Sequence, residues 1–566
     1  MRISRRAASL LSLLVVAGLA LSACGPKQDP TPPGNNGGAQ NEQPAPSTGQ
    51  PAVGGNLNLV LEKEPDSFNS ILYTTAYGAE IVTQLYATLF EFNEKYEPTP
   101  YVAESWEMSE DQLTLSIKIR EGIKFTDGTD LDAEDVAFPL EAIMPPDYTG
   151  ARASSLRDVE SIEVVDKHNL KIHLKKPSAP LLTNINYGIL SKEAFEGYSI
   201  AEMEKAPASM DAPVGAGPYK LKEYVRGQYV VMERNPDWFM SEQYGGAPFI
   251  ETLTFKIIPD SQTALAALQN GEIDRLTPEA SDVAMLETQF ADKLTAYNWD
   301  RNGFGYMTLN NSKAPLDDKR VRQALTLGLD REAIITGVLE DRATIPPGPI
   351  PPISWAYDDS IEVLERDVEK AKQLLEEAGF VMNESTGIYE RDGEPLKLTF
   401  FAGAGATTTE AIGAIARSSW KEIGVDLDVQ MIDFNAMMDN YVAPGKFDVT
   451  FSAFNLGLDP DSMFNLFHSS AGQPDANGNV LGFNRARFYN DRVDELLEKA
   501  REEFDPEKRK EYYSEFQRIV VDEAPVIMVY SNVYTDFVNS RVKGVVNFPG
   551  LGATSDYIYR WYINEK

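Results

Sequence analysis

Residues 446–469, KFDVTFSAFNLGLDPDSMFNLFHS, place two carboxylates in a polar loop directly after an aromatic strand. FDVTFSAF mixes aromatic and small residues in the manner of a strand, and the loop runs from Asn455 to Asp461. A carboxylate drawn out of water needs a cationic partner, so Asp459 and Asp461 are candidates for binding one. A plainer use is also open to them, an Asp-Pro turn with Asp461 capping the next helix. Other chemistry is scarce. With three histidines, no G-x-S-x-G, no H-E-x-x-H and no P-loop, the usual catalytic sets are missing. His168 and His173 share one hairpin pattern without a third ligand nearby, which argues against metal. Pairs of acids are too common in this chain to point to a glycosidase. The glycines of VGAGPY (214–219) precede no Lys-Ser/Thr, so they suit a sharp loop rather than a phosphate cradle. No catalytic residue, metal or cofactor is expected; the residues favour binding over turnover.

Bulk properties narrow the partners. A formal charge of −34 with no basic stripe excludes nucleic acid as a ligand. The 566 residues exceed what one hydrophobic core fills, so two or three subdomains are expected. One cysteine, Cys24, rules out an internal disulfide. Ahead of it stand Arg2, Arg5 and Arg6, the apolar run LLSLLVVAGLAL, and then Ser22-Ala23. That run is too short to span a bilayer. Cationic head, apolar core and small residues before a cysteine together resemble a bacterial lipobox. The resemblance implies that residues 1–23 are a signal peptide and that the Cys24 thiol is lipidated. Residues 24–55, rich in Pro, Gly, Gln and Asn, read as a disordered leash from that anchor.

The folded body alternates between the two periodicities. NLNLVL (56–61) alternates as a first strand, and 79–92 is periodic as a helix. LTLSIKI (113–119) is a half-buried strand, 120–131 a second short strand with an Asp127-Gly128 turn, and Asp132 to Asp135 open a helix with acids at its positive end. VESIEVVDKHNLKIHL (159–174) is a hairpin, and SQTALAALQNG (261–271) a helix stopped by glycine. Asp317 or Asp318 starts a helix carrying Val321, Ala324 and Leu325 on one face. After residue 396, strand, helix and strand follow one another, which implies a partly parallel α/β lobe.

The order SWE, acidic turn, strand, R-x-G-x-K-F-x-D-G, A-E-D-V across 99–136 resembles the signature of family 5 extracellular solute-binding proteins, the oligopeptide and dipeptide receptors of ABC importers. Arg234-Asn235-Pro236-Asp237-Trp238 and the stretch from Asn302 to Leu329, with Leu316 for the family's Phe and Leu327-Gly328 for its usual Ala pair, resemble two further family motifs. This resemblance implies a two-lobed, periplasmic-binding-protein-like α/β fold of type II, with three subdomains and a hinge. It implies a lobe I core of residues 56–90, 195–294 and 525–566, an extra subdomain of 91–194, and lobe II at 295–524. In the family a Trp opening the loop pairs with ligand backbone, and an Asp shortly after it binds the peptide's α-ammonium. Here Phe454 replaces the Trp, so Phe454 and Asn455 fall beside the ligand and the ammonium role on Asp459 or Asp461, Asp459 being favoured. Thr74 and Thr75 match a loop that contacts the peptide backbone, although Ser67-Phe68-Asn69-Ser70 departs from the family's S-L-D-P. The expected protein is a monomeric, lipid-anchored receptor on the outer face of the cell membrane, handing peptide to an ABC permease. Other ligands known in the family, such as nickel complexes, haem, glutathione, oligosaccharides and opines, are alternatives. From a different class, a surface hydrolase or a chaperone or signalling lipoprotein could reuse the fold.

Overall fold

The alternation of NLNLVL forms β1 (Asn56–Leu61), with Leu57, Leu59 and Leu61 buried, in a computed structural model describing residues 51–564 apart from 146, 147, 149, 151, 153 and 154. The expected signal peptide, Cys24 and most of the expected leash therefore lie outside the described residues. Helix α1 (Ala76–Leu85) starts at Thr75, whose hydroxyl accepts the Gly78 N–H. Its periodicity predicts a helix through Phe92, but Tyr86 is extended and Phe90–Phe92 is a short strand. Tertiary contacts win there. The Phe90 ring packs edge-on against Trp106 at 4.7 Å, and the Asn186 amide takes up both the N–H and the C=O of Phe90, at 2.9 and 3.0 Å. Burying a phenylalanine is worth about 1.5–3 kcal/mol, more than one further turn of helix offers.

Strands β2 (Ala103–Met108) and β3 (Thr114–Ile119) follow. The second strand expected after β3 is instead a turn, with Gly128 at φ 92° and a single bridge between Lys124 and Asp130. Helix α2 (Ala133–Ile143) begins with the Asp132 and Asp135 carboxylates capping each other's backbone. The hairpin β4 (Val159–Asp166) and β5 (Asn169–Leu174) completes an antiparallel sheet in the order β2-β3-β5-β4. A second sheet joins β1 to β6 (Tyr219–Val225), β7 (Tyr229–Arg234) and β8 (Thr252–Ile257), in the order β1-β8-β7-β6. VGAGPY lies against the end of α1, where a Cβ on Gly215 would sit 2.0 Å from the Leu85 carbonyl oxygen. Close backbone approach is thus the reason for that glycine. Helix α3 (Ser261–Asn270) stops at Gly271 in the left-handed conformation.

Among the described residues the largest sheet has eight strands, one of them the two-residue Ala343–Thr344 paired with Asn532 and Ser531. Its other seven strands, with the main helices between them, are β9 (Arg275–Leu276), β10 (Leu294–Asp300), β11 (Gly303–Leu309), α4 (Lys319–Gly328), α5 (Val368–Glu377), β12 (Lys397–Gly403), α6 (Thr407–Glu422), β13 (Asp426–Ile432), β14 (Val449–Asn455), α7 (Asp491–Glu502), α8 (Pro506–Glu523) and β15 (Val526–Asn539). The order runs β9-β15-β11-β14-β12-β13, with β10 also paired along β15. Unit β12-α6-β13 is parallel, as its alternation implied. Trp420 of α6 is fully buried, its indole N–H donating to the Leu325 carbonyl at 2.9 Å.

Hydrophobic side chains divide the chain into two lobes. One core gathers Leu57 to Phe255 together with Val538 to Ile563; two others gather residues between Phe304 and Tyr530. The backbone passes between these cores at 300–303 and again within β15, whose Met528 and Tyr530 serve one lobe and whose Phe537 and Val538 serve the other. Among the described residues, no helix is long and apolar enough to cross a membrane.

Candidate functional site

Strand β14 ends at the crossover with one edge open. On one side it pairs antiparallel with β11 along its whole length, Gly303 opposite Asn455 and Tyr306 opposite Ser452. On the other side β12 pairs with it only at Val449 and Thr450. From Phe451 to Asn455 that second edge has no strand beside it among the described residues, leaving backbone donors and acceptors for an added strand. Ala453 and Asn455 are exposed, while Phe451, Ser452 and Phe454 are half-buried. Two rings flank the gap. Phe434, 59% exposed, stands over Gly403 at the end of β12, and Phe483, 53% exposed, meets Phe454 edge-on at 6.3 Å.

The rim is tied to the crossover. Arg301 donates through Nε to the Asn455 side-chain oxygen at 2.7 Å, and its backbone N–H donates to the Asn532 carbonyl at 2.9 Å. The Asn302 amide donates to the Gly457 carbonyl at 2.6 Å, and the Ser531 hydroxyl to the Gly303 carbonyl at 2.8 Å. A Cβ on Gly303 would lie 2.1 Å from the Phe454 carbonyl oxygen, so only glycine lets the two strands approach at this point.

Beyond the rim, both acids of the Asp-Pro-Asp loop already hold cations. Asp459 accepts two hydrogen bonds from Arg509, at 2.6 and 2.8 Å, and Asp461 accepts two from Arg501, at 2.7 and 3.0 Å. The arginines come from the start of α8 and the end of α7. All four side chains are at most 17% exposed. Burial pulls the Arg509 guanidinium down, but the Asp459 charge outweighs it and holds the group above its ordinary value. As folded here, neither carboxylate is free to receive a ligand ammonium; a second cation would have to displace a forked arginine pair. Asp459, rather than Asp461, caps the short helical turn Pro460–Ser462, by accepting the Asp461 N–H at 2.8 Å. A cavity of about 650 Å³ opens beside the Asp459 pair, walled by Phe92, Tyr96 and Leu182 of one lobe and Ile353, Trp355 and Leu458 of the other.

Thr74 and Thr75 lie in lobe I and are engaged locally. Their hydroxyls donate to the two oxygens of Asp66 at 2.8 and 2.6 Å, and the Thr74 N–H adds a third bond at 2.6 Å. Burial pushes the Asp66 carboxyl up, yet these three donors outweigh it and hold it below the ordinary range. The structure therefore places Phe454 and Asn455 at the end of β14 and Asp459 and Asp461 on the loop after it, while Thr74 and Thr75 build a helix start in the other lobe. Among the described residues, no cluster of three or more His, Cys, Asp or Glu could hold a metal ion.

Sequence reasoning missed Phe434, Phe483 and Arg485. The segment FNRARF (483–488) gives only a weak signal, two arginines in an acidic chain. Arg487 donates to the carbonyls of Ala443 and Gly478. Arg485 is half-buried, and its Nε is enclosed without a hydrogen-bond partner.

Comparison with known proteins gives a consistent neighbourhood. Residues 97–475 match the family described as bacterial extracellular solute-binding proteins, family 5 middle. The oligopeptide-binding protein AppA of Bacillus subtilis is 30% identical over 538 residues, covering 94% of each chain. Its structure in complex with a nonapeptide superimposes with a TM-score of 0.72 over 91% of this chain and 100% of that one, at 28% identity. The dipeptide-binding protein of Escherichia coli is 28% identical over 86% of this chain and 91% of its own. NikZ of Campylobacter jejuni, solved in complex with Ni(L-His), matches with a TM-score of 0.73 at 26% identity, over 90% of this chain and 99% of that one.

Proposed function

This chain belongs to family 5 of the bacterial extracellular solute-binding proteins, and from that premise we propose that it is a lipid-anchored peptide receptor serving an ABC permease. The observation that carries the reading is the open outer edge of β14 at the junction of the two lobes. An extended peptide added there satisfies backbone donors and acceptors without regard to its side chains. Phe434, Phe483 and Phe454 supply apolar walls for those side chains, and closure about the two crossovers excludes water from the new hydrogen bonds. The lobes divide at the two crossovers, 300–303 and between Tyr530 and Phe537, a few residues beyond the 294 and 525 expected from the resemblance, with 91–194 as an outlying part of the first. Cys24 holds the protein to the outer face of the membrane through its lipid, and the leash up to residue 55 lets a monomer reach the permease. The peptide ligands named for AppA and the dipeptide-binding protein support the ligand class.

Calorimetry of the purified protein against a broad peptide library tests this. We expect binding without cleavage, contraction in solution scattering on saturation, and weaker binding of peptides N-methylated along the backbone. Peptide hydrolysis, or the absence of any peptide binding by folded protein, overturns the reading. Binding of Ni(L-His) in place of peptide moves the ligand to a metal complex.

A further inference from the structure

Resting on the receptor reading, we propose that Arg485 is a ligand-binding residue and that the site selects ligands bearing a carboxylate beside the outer half of β14. Three observations place the guanidinium there. Segment 483–488 folds over the end of β14, the Phe483 ring meeting the Phe454 ring at 6.3 Å. Arg485 lies 5.7 Å from the Phe483 ring centroid and bears electrostatically on the Tyr306 hydroxyl. Tyr306 stands opposite Ser452 in the strand register, so the cation sits over the part of β14 whose other edge is unpaired.

The charge of Arg485 is not answered by its own neighbours. The protein carries a formal charge of −34, yet among the described residues Arg485 forms no ion pair with a carboxylate and its Nε has no acceptor. Burial lowers the guanidinium below its ordinary value, the mark of a cation deprived of water without compensation. Arg509 and Arg501, buried in the same lobe, each close on an aspartate through two bonds. A ligand carboxylate can give Arg485 the same forked pair, which is the geometry a guanidinium favours. The overall negative charge does not forbid an anionic ligand. Charges on distant surfaces are screened over about 8 Å at physiological ionic strength, whereas a half-buried guanidinium is not.

Carboxylate on a peptide has two sources, its C-terminus and an acidic side chain. Three probes separate them in calorimetry: hexa-alanine as the free acid, hexa-alanine amide, and hexa-alanine amide with one internal glutamate. The wild type is expected to bind one or both carboxylate probes at least tenfold more tightly than the neutral amide. Arg485→Gln is expected to erase that ratio, the carboxylate probes falling to the affinity that the same variant shows for the amide. Arg485→Lys, a cation without the fork, is expected to restore the preference only in part. A carboxylate preference that survives Arg485→Gln, or a wild type that prefers the neutral amide, overturns the assignment and leaves the receptor reading standing. Failure of all three probes and of the wider library overturns both.

Discussion

Arginines of one lobe carry one charge in two opposite circumstances. Beside the Asp-Pro-Asp loop, Arg501 and Arg509 each grip an aspartate and join the packing of α7 and α8. Above the open end of β14, Arg485 is half-buried with nothing of the protein's own to grip. The contrast separates two uses of charge in one lobe. A buried cation paired within the chain belongs to the fold, and its removal should be felt as instability. One left unpaired at a rim with spare hydrogen-bonding backbone belongs to the ligand, and its removal should be felt as lost affinity.

The strongest way to break this contrast is at Arg509. Arg509→Met strands Asp459 in a site where its side chain is 14% exposed. We expect a loss of roughly 3–5 kcal/mol in urea unfolding, the usual cost of leaving one member of a buried pair alone. Adding Asp459→Asn should recover part of it, because the pair as a whole nearly offsets its own desolvation. A loss under about 1 kcal/mol for the single variant would return Asp459 to the list of free acids.

A smaller effect is expected on the other side of the comparison. Arg485→Gln should change unfolding stability by no more than about 0.5 kcal/mol, or raise it, since an uncompensated desolvated charge is removed. A loss of several kcal/mol in the same urea titration would make Arg485 part of the fold and end its distinction from Arg509.

Least of all should come from exposed pairs. On α7, Lys499 and Arg492 flank Glu495 and pull its carboxyl down to about 2. A folded value below the unfolded one, about 4.3, stabilises the protein above that pH, and the contribution fades as pH falls towards 2. Solvent screens these side chains, so Glu495→Gln should scarcely move the urea midpoint at pH 7. Any difference between the two proteins should shrink in 1 M salt. A large, salt-insensitive shift would mean that exposure is no guide to which charges matter here.

Much of the fold was legible because it is written in local patterns. Period two produced β1, β3 and the hairpin of β4 and β5; the acids at Asp132 and Asp135 marked the start of α2; Gly271 marked the end of α3. Steric demands of single positions were legible too, as at Gly215 against the Leu85 carbonyl. Where a neighbour distant in sequence decided the outcome, the patterns misled. The 79–92 periodicity gave way to a strand at Phe90 because Asn186, 96 residues on, supplies its hydrogen bonds.

The candidate site divides along the same line. The sequence by itself determined the strand FDVTFSAF, the polar loop after it and the presence of acids there. It also determined the family resemblance that singled the loop out. Only the folded chain decided which charges were already answered, since Arg509 and Arg501 reach Asp459 and Asp461 from 50 and 40 residues away. Neutralisation depends on distances of about 3 Å between side chains, and no one-dimensional spacing encodes those distances when two helices must first pack. The open edge of β14 is likewise a property of where β12 stops pairing.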